Sequence, residues 1–236
     1  MNALSHRSLV PEILDGLAAG DPRALASRRD LRWINALMFQ APIMASLLRK
    51  FVPRPPRRIL EIGAGDGTFM LKLAQRMARH WPEVELTLLD RVNLAGPGLL
   101  AEFNRLGWSA EVVTADVFDW AEGYGGEWFD AITVNLFLHH FDDVELVRLF
   151  LLLAWKAPLL LATEPLRARF PLAATRLLPA IGANDVTRHD AAQSVRAGFR
   201  GKELSDLWLA AGGRPLEERR AGPFSHIFAG ASARSR

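Results

Sequence analysis

The stretch RRILEIGAGDGTF, residues 57–69, decides the fold of this chain. Residues 59–62 of this stretch are typical of a buried strand, and the glycines after them are typical of a tight turn leading into a helix. Glycines at such a turn let a ligand approach the backbone, while the helix start offers unpaired N–H groups to an anionic group. The stretch therefore predicts a nucleotide-like cofactor at the turn, with contacts from Gly63, Ala64 and Gly65.

The spacing of the glycines distinguishes between two kinds of nucleotide site. In the NAD-binding fingerprint, the third glycine comes three positions after the second. That position is Thr68 here, and the additional glycine is Gly67, so the spacing disfavours NAD. Glu61, a carboxylate at the end of the strand, is suited to hold a cationic amine, directly or through water. Together these features favour a zwitterionic cofactor.

Acidic residues also end the next two predicted strands. Asp90 closes LTLLD, where a carboxylate can accept hydrogen bonds from two ribose hydroxyls. Asp116 closes VVTAD and can accept a hydrogen bond from an adenine amino group. Two alternatives stay open, because Asp90 could instead cap the next helix and Asp116 a helix that begins near Phe118. The predicted adenosine site also includes the adjacent residues Arg91 and Val117.

Beyond this turn, short apolar runs alternate with helical runs along the chain. Such alternation is typical of crossover units, which build a mostly parallel α/β sheet with helices on both faces. The predicted strands are residues 59–62, 84–89, 110–114, 131–134 and 159–163, and the predicted helices are residues 71–77, 99–106, 144–155 and 201–211. Two final extended segments, residues 216–220 and 225–229, predict a closing hairpin.

The first fifty residues carry a different pattern, with helical spacing of apolar residues over residues 9–19 and 30–48. Three prolines within residues 52–58 then mark a joint, because proline cannot occupy a helix interior. We therefore expect residues 1–56 to form an N-terminal helical cap that folds over the cofactor cleft as a lid. Three arginines of this segment are interpreted as a solvated helix face, with cofactor or substrate contact as the alternative: Arg28, Arg29 and Arg32.

The remaining residues, 57–236, are expected to form one α/β domain, since half of the chain is hydrophobic and no polar tract interrupts it. Residues 167–200 fit the alternation poorly. Because they follow the fifth predicted strand, an insertion at this point would hang over the carboxyl edge of the sheet. We interpret this segment as structure on the substrate side.

The overall composition excludes several classes of site. The 236 residues include no cysteine, which excludes disulfides, thiolate metal sites and a cysteine nucleophile. The most apolar stretch, residues 146–162, contains two charged residues and a proline and predicts no membrane span. The net charge is +3, but the basic residues are scattered, so no nucleic-acid partner is expected. The first residues lack the pattern of a secretory signal, and a cytoplasmic location is the expectation.

At this point the chain resembles the class I S-adenosylmethionine-dependent methyltransferases, over residues 57–163 and the closing hairpin. LEIGAGDG is similar to the first motif of that family, LLD to its ribose-binding acid and TADVFD to its adenine-side segment. The segment FDAITVNLFLHHFDD, residues 129–143, resembles the region where the fourth strand ends near the cofactor. The resemblance implies a Rossmann-like sheet of seven strands in the order 3-2-1-4-5-7-6, the seventh antiparallel. It also implies S-adenosyl-L-methionine as cofactor, with Asn135 among its contacts.

Two further segments, residues 21–38 and 185–204, resemble bacterial methyltransferases of phenolic or polyketide products. This resemblance implies a small-molecule substrate and O-methylation of a phenolic or other hydroxyl group. A ring carbon or an amine is the alternative acceptor. A non-catalytic adenosine-ligand-binding protein and an NAD-dependent dehydrogenase are alternatives from other classes. A homodimer is an open alternative to a monomer.

The candidate base lies in the segment between the fourth strand and the next helix. His139, or failing it His140, is predicted to accept the proton of the acceptor hydroxyl, with Glu164 orienting the imidazole. Two simpler interpretations remain: either histidine could merely brace the loop, and Glu164 could pair with Arg167. The sequence contains no group of histidines and acids spaced as a convincing metal site, so no metal is expected.

Overall fold

A sheet of seven strands lies at the centre of the computed structural model, which describes residues 4–233. The strands are β1 (Arg58–Ile62), β2 (Glu85–Asp90), β3 (Ser109–Thr114), β4 (Ala131–Asn135), β5 (Leu159–Pro165), β6 (Arg214–Ala221) and β7 (Ser225–Ala231). Their order is β3-β2-β1-β4-β5-β7-β6. Strands β1 to β5 pair in parallel, and β7 is antiparallel to both β5 and β6. The predicted fold and strand order are confirmed.

Helices cover both faces of this sheet. They are α1 (Ile13–Gly16), α2 (Pro22–Leu37), α3 (Gln40–Phe51), α4 (Thr68–Met77), α5 (Leu99–Arg105), α6 (Val117–Gly123), α7 (Asp143–Leu153), α8 (Arg169–Ala174), α9 (Asp185–Ala197) and α10 (Glu203–Ala210), with 3-10 helices at Leu138–His140 and Thr175–Ile181. One core cluster packs α3, α4 and α5 on the sheet, and a second packs α6, α7 and α10 on the opposite face. Within the described residues 4–233, no helix has the length and apolar character needed to cross a bilayer.

The register of the parallel strands brings the functional segments together. Ile62 is aligned with Leu89 of β2 and with Val134 of β4. The residues that follow these strands therefore leave the sheet at the same edge. The glycine turn, Asp90 and the segment after β4 meet there, as expected for the carboxyl edge of a parallel sheet.

Helix α3 belongs to the core of the sheet. Its residues Met44, Leu47 and Leu48 are buried in the same cluster as α4 and β5. The prediction of one helix over residues 30–48 is wrong, because Phe39 is left-handed (φ 56°) and separates α2 from α3. Pro42 explains the break: it cannot donate to the carbonyl four residues earlier, so α2 cannot continue through it.

The prediction of a helix over residues 9–19 holds for only one turn, α1, which has no buried residue. Helix α2 begins earlier than predicted, because Asp21 caps it and Pro22 occupies its first turn. The division into a cap of residues 1–56 and an α/β domain stays a prediction. Because α3 packs on the sheet, α1 and α2 are the helices of the predicted cap that lie above the strand ends.

Residues 167–200 form α8, a 3-10 helix and α9. Helix α9 is tied to the N-terminal helices by polar contacts: the carboxylate of Asp190 accepts from the backbone N–H groups of Ile13 and Leu14, both at 2.9 Å. The hydroxyl of Thr187 lies 2.9 Å from that of Ser27 in α2. Helices α1, α2 and α9 therefore form one layer.

Candidate functional site

A cavity of about 930 Å³ lies between this layer and the carboxyl ends of β1, β4 and β5. Seven of the residues predicted to act in cofactor binding or catalysis line it: Glu61, Gly63, Ala64, Gly65, Asn135, His139 and His140. Five others do not line it: Asp90, Arg91, Asp116, Val117 and Glu164. The volume is near the upper end of the roughly 300–1,000 Å³ of small-molecule sites. The cavity is therefore large enough for a cofactor and a second small molecule.

The glycine turn has the backbone conformation that its sequence predicts. Gly63, Gly65 and Gly67 all have positive φ, at 71°, 57° and 74°. A Cβ at Gly63 would overlap the ring of Phe137, and one at Gly67 would press on Leu99. A Cβ at Gly65 would meet nothing within 4 Å, and this residue lines the cavity. Packing therefore requires glycine at positions 63 and 67, whereas the backbone of Gly65 is open to the cavity.

Glu61 is a buried acid on the floor of the cavity. It is 1% exposed, and its carboxylate accepts a hydrogen bond from the hydroxyl of Thr133. Burial raises the pKa of Glu61 to about 8. At neutral pH the free carboxyl is therefore mostly protonated, and a cationic group beside it would favour its ionised form. This property fits the predicted role of Glu61 as partner of an ammonium group.

Asp90 and Asp116 each bind backbone N–H groups. The two carboxylate oxygens of Asp90 accept from Gly65 N at 2.8 Å and Val92 N at 3.0 Å, which anchors the glycine turn to the end of β2. Asp116 caps α6 by accepting from Phe118 N at 2.8 Å. Asp116 therefore caps a helix, which was the alternative interpretation of this residue from the sequence. Contacts of either acid with a nucleoside stay predictions, as do those of Arg91 and Val117.

His139 and Glu164 form a buried pair. Glu164 is fully buried at the end of β5, and its Oε2 lies 2.8 Å from His139 Nδ1. Its Oε1 accepts from the N–H groups of Phe137 at 3.0 Å and Leu138 at 2.8 Å. These N–H groups follow Leu136, whose left-handed backbone (φ 54°) turns the chain after β4. Glu164 therefore orients the His139 ring.

Arg167, the alternative partner of Glu164, binds elsewhere. Its guanidinium donates to the carboxylate of Glu203 and to the carbonyl oxygens of Leu4 and Gly198. Of the three arginines interpreted as a solvated helix face, Arg32 lines the cavity and forms an ion pair with Asp66 at 2.9 Å. Arg28 donates to the carbonyl of Ala19 at 2.7 Å.

A second acid, Glu12, faces the other side of His139. Its Oε1 lies 3.7 Å from His139 Nε2. Burial lowers the pKa of His139, but the carboxylates of Glu12 and Glu164 outweigh burial and raise that pKa to about 9. At neutral pH His139 is therefore an imidazolium, and neither ring nitrogen is free to accept a proton. Sequence reasoning missed Glu12, because the topology brings it to His139 from a distant segment.

His140 has the opposite electrostatic character. Its side chain lines the cavity and is 29% exposed. Burial lowers the pKa of His140, and the positive charge of His139, whose ring centroid is 4.3 Å away, lowers it further. The Nδ1 atom lies 3.5 Å from a carboxylate oxygen of Asp15, another residue that sequence reasoning missed. His140 is thus a neutral imidazole that reaches the cavity.

The histidines and Glu12 also form a group that could hold a cation. One ligand atom from each of Glu12, His139 and His140 lies within 4.8 Å of the others. The expectation that no metal is bound stays a prediction, although this group of side chains is present among the described residues. The spacing of residues along the chain could not reveal it, since α1 packs over the segment after β4 only in the folded protein.

No family model matches the sequence, and no curated protein matches it. Among solved structures, the chain is similar to SibL, an S-adenosylmethionine-dependent methyltransferase in its apo form, at 17% identity and a TM-score of 0.62, over 96% of this chain and 64% of that one. CalO1, a methyltransferase in calicheamicin biosynthesis with SAH bound, has 21% identity and a TM-score of 0.57, over 94% and 64% of the chains.

Human N-acetylserotonin methyltransferase in complex with SAM has 16% identity and a TM-score of 0.55, over 92% of this chain and 61% of that one. The present chain thus spans less than two thirds of the length of each of these three proteins. These likenesses show that it has the Rossmann-like fold of class I S-adenosylmethionine-dependent methyltransferases.

Proposed function

We propose that this protein is an S-adenosyl-L-methionine-dependent methyltransferase that modifies a hydroxyl group of a small molecule. The observation that carries the proposal is the arrangement of one cavity, in which Glu61 lies beneath an open glycine turn and His140 lines the same space. The fold shared with solved methyltransferases supports it. When bound, the cofactor would supply an electrophilic methyl group.

The cofactor would be held by residues at the ends of β1, β2 and β4. Glu61 would pair with its ammonium group, since the raised pKa of this carboxyl favours a cationic partner. The backbone of Gly63, Ala64 and Gly65 would face the rest of the ligand. Asp90 and Arg91 at the end of β2, Asp116 and Val117 at the end of β3, and Asn135 at the end of β4 remain our candidates for contacts with the adenosine moiety.

We assign the role of general base to His140, because a proton acceptor needs a free lone pair at neutral pH. A neutral imidazole next to Asp15 can take the proton of an acceptor hydroxyl as the methyl group is transferred. His139 lacks this capacity as an imidazolium between Glu12 and Glu164. We assign His139 a positioning role, in which its charge holds His140 neutral and its ion pairs fix the segment after β4.

Transfer to a ring carbon or an amine would use the same cofactor site and remains the alternative acceptor chemistry. A non-catalytic adenosine-ligand-binding protein would bind cofactor without turnover, and a dehydrogenase would bind NAD. We also keep as proposals a cytoplasmic location, no nucleic-acid partner and a homodimer as the alternative to a monomer.

The testing experiment is a methyl-transfer screen. Purified protein is incubated with S-adenosylmethionine and a panel of phenols, hydroquinones and amines, and S-adenosylhomocysteine and methylated products are measured by mass spectrometry. The proposal expects O-methylated products from phenols or hydroquinones, and loss of these products in His140→Asn. Products formed from amines alone, or formation of no S-adenosylhomocysteine with any acceptor, would contradict it.

A further inference from the structure

The mouth of the cavity is lined by large apolar side chains that are open to solvent. Four residues line the cavity and are nevertheless between 62% and 68% exposed: Leu37, Phe39, Leu177 and Ile181. We call these four residues the apolar mouth. Single exposed apolar residues are normal on protein surfaces, but a group of them around one opening marks a binding surface.

The apolar mouth is built from two separate parts of the chain. Leu37 ends α2 and Phe39 lies in the link to α3, whereas Leu177 and Ile181 come from the 3-10 helix Thr175–Ile181. Phe39 is also held with a positive φ of 56°, a conformation that costs energy for a bulky residue. The turn that separates α2 from α3 accounts for this backbone conformation, but burial does not account for the position of the aromatic ring, which stays exposed at the opening.

The chemistry of the cavity changes from its floor to its mouth. Glu61 and His140 provide polar groups on the sheet side, and the apolar mouth provides hydrocarbon on the solvent side. The two ends belong to one continuous space of about 930 Å³. A ligand that contacts both ends would need a polar, reacting head and an apolar extension.

We propose that the acceptor is an amphiphile, with a hydroxylated ring at His140 and an alkyl or isoprenoid chain that lies across the apolar mouth. This inference rests on the proposed methyl transfer. The reacting hydroxyl would give its proton to His140 as its oxygen forms the bond to the methyl group. The methyl–sulfur bond of S-adenosylmethionine would break, with its electron pair staying on sulfur, and S-adenosylhomocysteine would leave. The alkyl or isoprenoid chain would take no part in that step. The alkyl or isoprenoid chain would increase the affinity of the acceptor, because its hydrocarbon would be buried against the four residues of the apolar mouth.

The test measures binding and turnover separately. Calorimetric titrations use methyl-, butyl- and octylhydroquinone, each below its micelle concentration, with wild type and with the double variant Leu177→Ser, Ile181→Ser. Both residues are exposed, so the double variant should fold, which circular dichroism checks. Leu209→Ser is the matched control, because Leu209 is 56% exposed on α10 and does not line the cavity.

The proposal expects wild type and Leu209→Ser to bind octylhydroquinone at least tenfold more tightly than methylhydroquinone, and the double variant to lose this preference. Equal affinities across the series in wild type would overturn it. Sedimentation showing a dimer that the double variant converts to monomer would overturn it in favour of a second copy at the mouth. Vesicle binding that the double variant alone loses would overturn it in favour of a lipid surface. Tight octylhydroquinone binding without formation of S-adenosylhomocysteine would support the alkyl-chain binding site and contradict the proposed methyl transfer.

Discussion

The carboxylate of Glu164 lies 2.8 Å from Nδ1 of His139, and both side chains are buried. The same carboxylate accepts from the two backbone N–H groups before His139. One acid thus determines the backbone turn after β4, the orientation of the His139 ring and, with Glu12, its charge. The charge of His139 lowers the pKa of His140. The contacts that stabilise the segment after β4 therefore also affect the protonation state of His140.

Replacing Glu164 by glutamine is predicted to separate these effects. The amide oxygen can still accept from the backbone, but the negative charge is lost, so the pKa of His139 should fall from its value of about 9. We expect a loss of about 1–3 kcal/mol in the free energy of unfolding, the cost of weakening a buried hydrogen bond to a charged group. Denaturant unfolding measures this loss, and NMR titration of His139 measures its pKa. An unchanged His139 pKa in a folded variant would refute the pairing.

His140→Asn is predicted to lower kcat by about 10²–10⁴-fold, the usual contribution of a general base, with cofactor affinity nearly unchanged. His139→Asn should instead cost stability as well as activity, because it removes the positive charge that lies between Glu12 and Glu164. His80→Asn is the control, since His80 is exposed and does not line the cavity. Steady-state kinetics and thermal unfolding of the three variants distinguish the roles. A larger kcat loss in a stable His139 variant than in the His140 variant would assign the base to His139.

A chelator is predicted to leave methyl transfer unchanged. Glu12, His139 and His140 could hold a cation, but a bound cation would occupy the lone pair that His140 needs as a base. The assay is the rate of S-adenosylhomocysteine formation after dialysis against EDTA, compared with rates after addition of Mg²⁺ or Zn²⁺. If EDTA abolishes activity and one metal restores it, these three residues are metal ligands and the base is not His140.

Removal of N-terminal segments should have two distinct outcomes. Deleting residues 1–20 removes Glu12 and Asp15, together with the buried Leu4 and the contacts of Arg7 with the segment after β4. It leaves α2 and α3 in place, and α1 itself has no buried residue. This variant should unfold cooperatively but turn over at least tenfold more slowly, because both acids beside the histidines are gone. Deleting residues 1–50 removes most of α3 from the sheet core and should abolish cooperative unfolding. Full activity in the shorter deletion would contradict the role of this segment.

The strands and the glycine turn were predictable because their signals are local, whereas the sheet order was implied by the resemblance to class I methyltransferases. Each strand is a short apolar run, and the conformation of the turn follows from Gly63, Gly65 and Gly67. Pro42 is also a local signal, for the break between α2 and α3. The helical spacing of apolar residues on both sides of it favoured one continuous helix instead. Sequence reasoning identified the two histidines and Glu164 but not which histidine is charged.

That charge depends on tertiary structure. The pKa of His139 is set by burial and by two acids, of which Glu12 comes from a segment far away in sequence. No periodicity or motif relates Glu12 or Asp15 to the segment after β4. Similarly, no pattern in the sequence indicates that Leu177 and Phe39 border the same opening. Properties that arise from packing of distant segments therefore required the structure.

Calorimetric titration with S-adenosylhomocysteine at pH 7 tests the central claim, that this cavity holds the cofactor with Glu61 at its ammonium group. Because the free carboxyl has a pKa of about 8, ionisation on binding should release about one proton per ligand, detected by comparing buffers of different ionisation enthalpy. Affinity should weaken as the pH falls below about 8, because a growing fraction of the free carboxyl must lose its proton on binding. The account predicts saturable 1:1 binding to wild type, and binding to Glu61→Gln that is about 1.5–3 kcal/mol weaker and releases no proton. Absence of saturable binding, binding without proton release, or equally tight binding of NAD would contradict it.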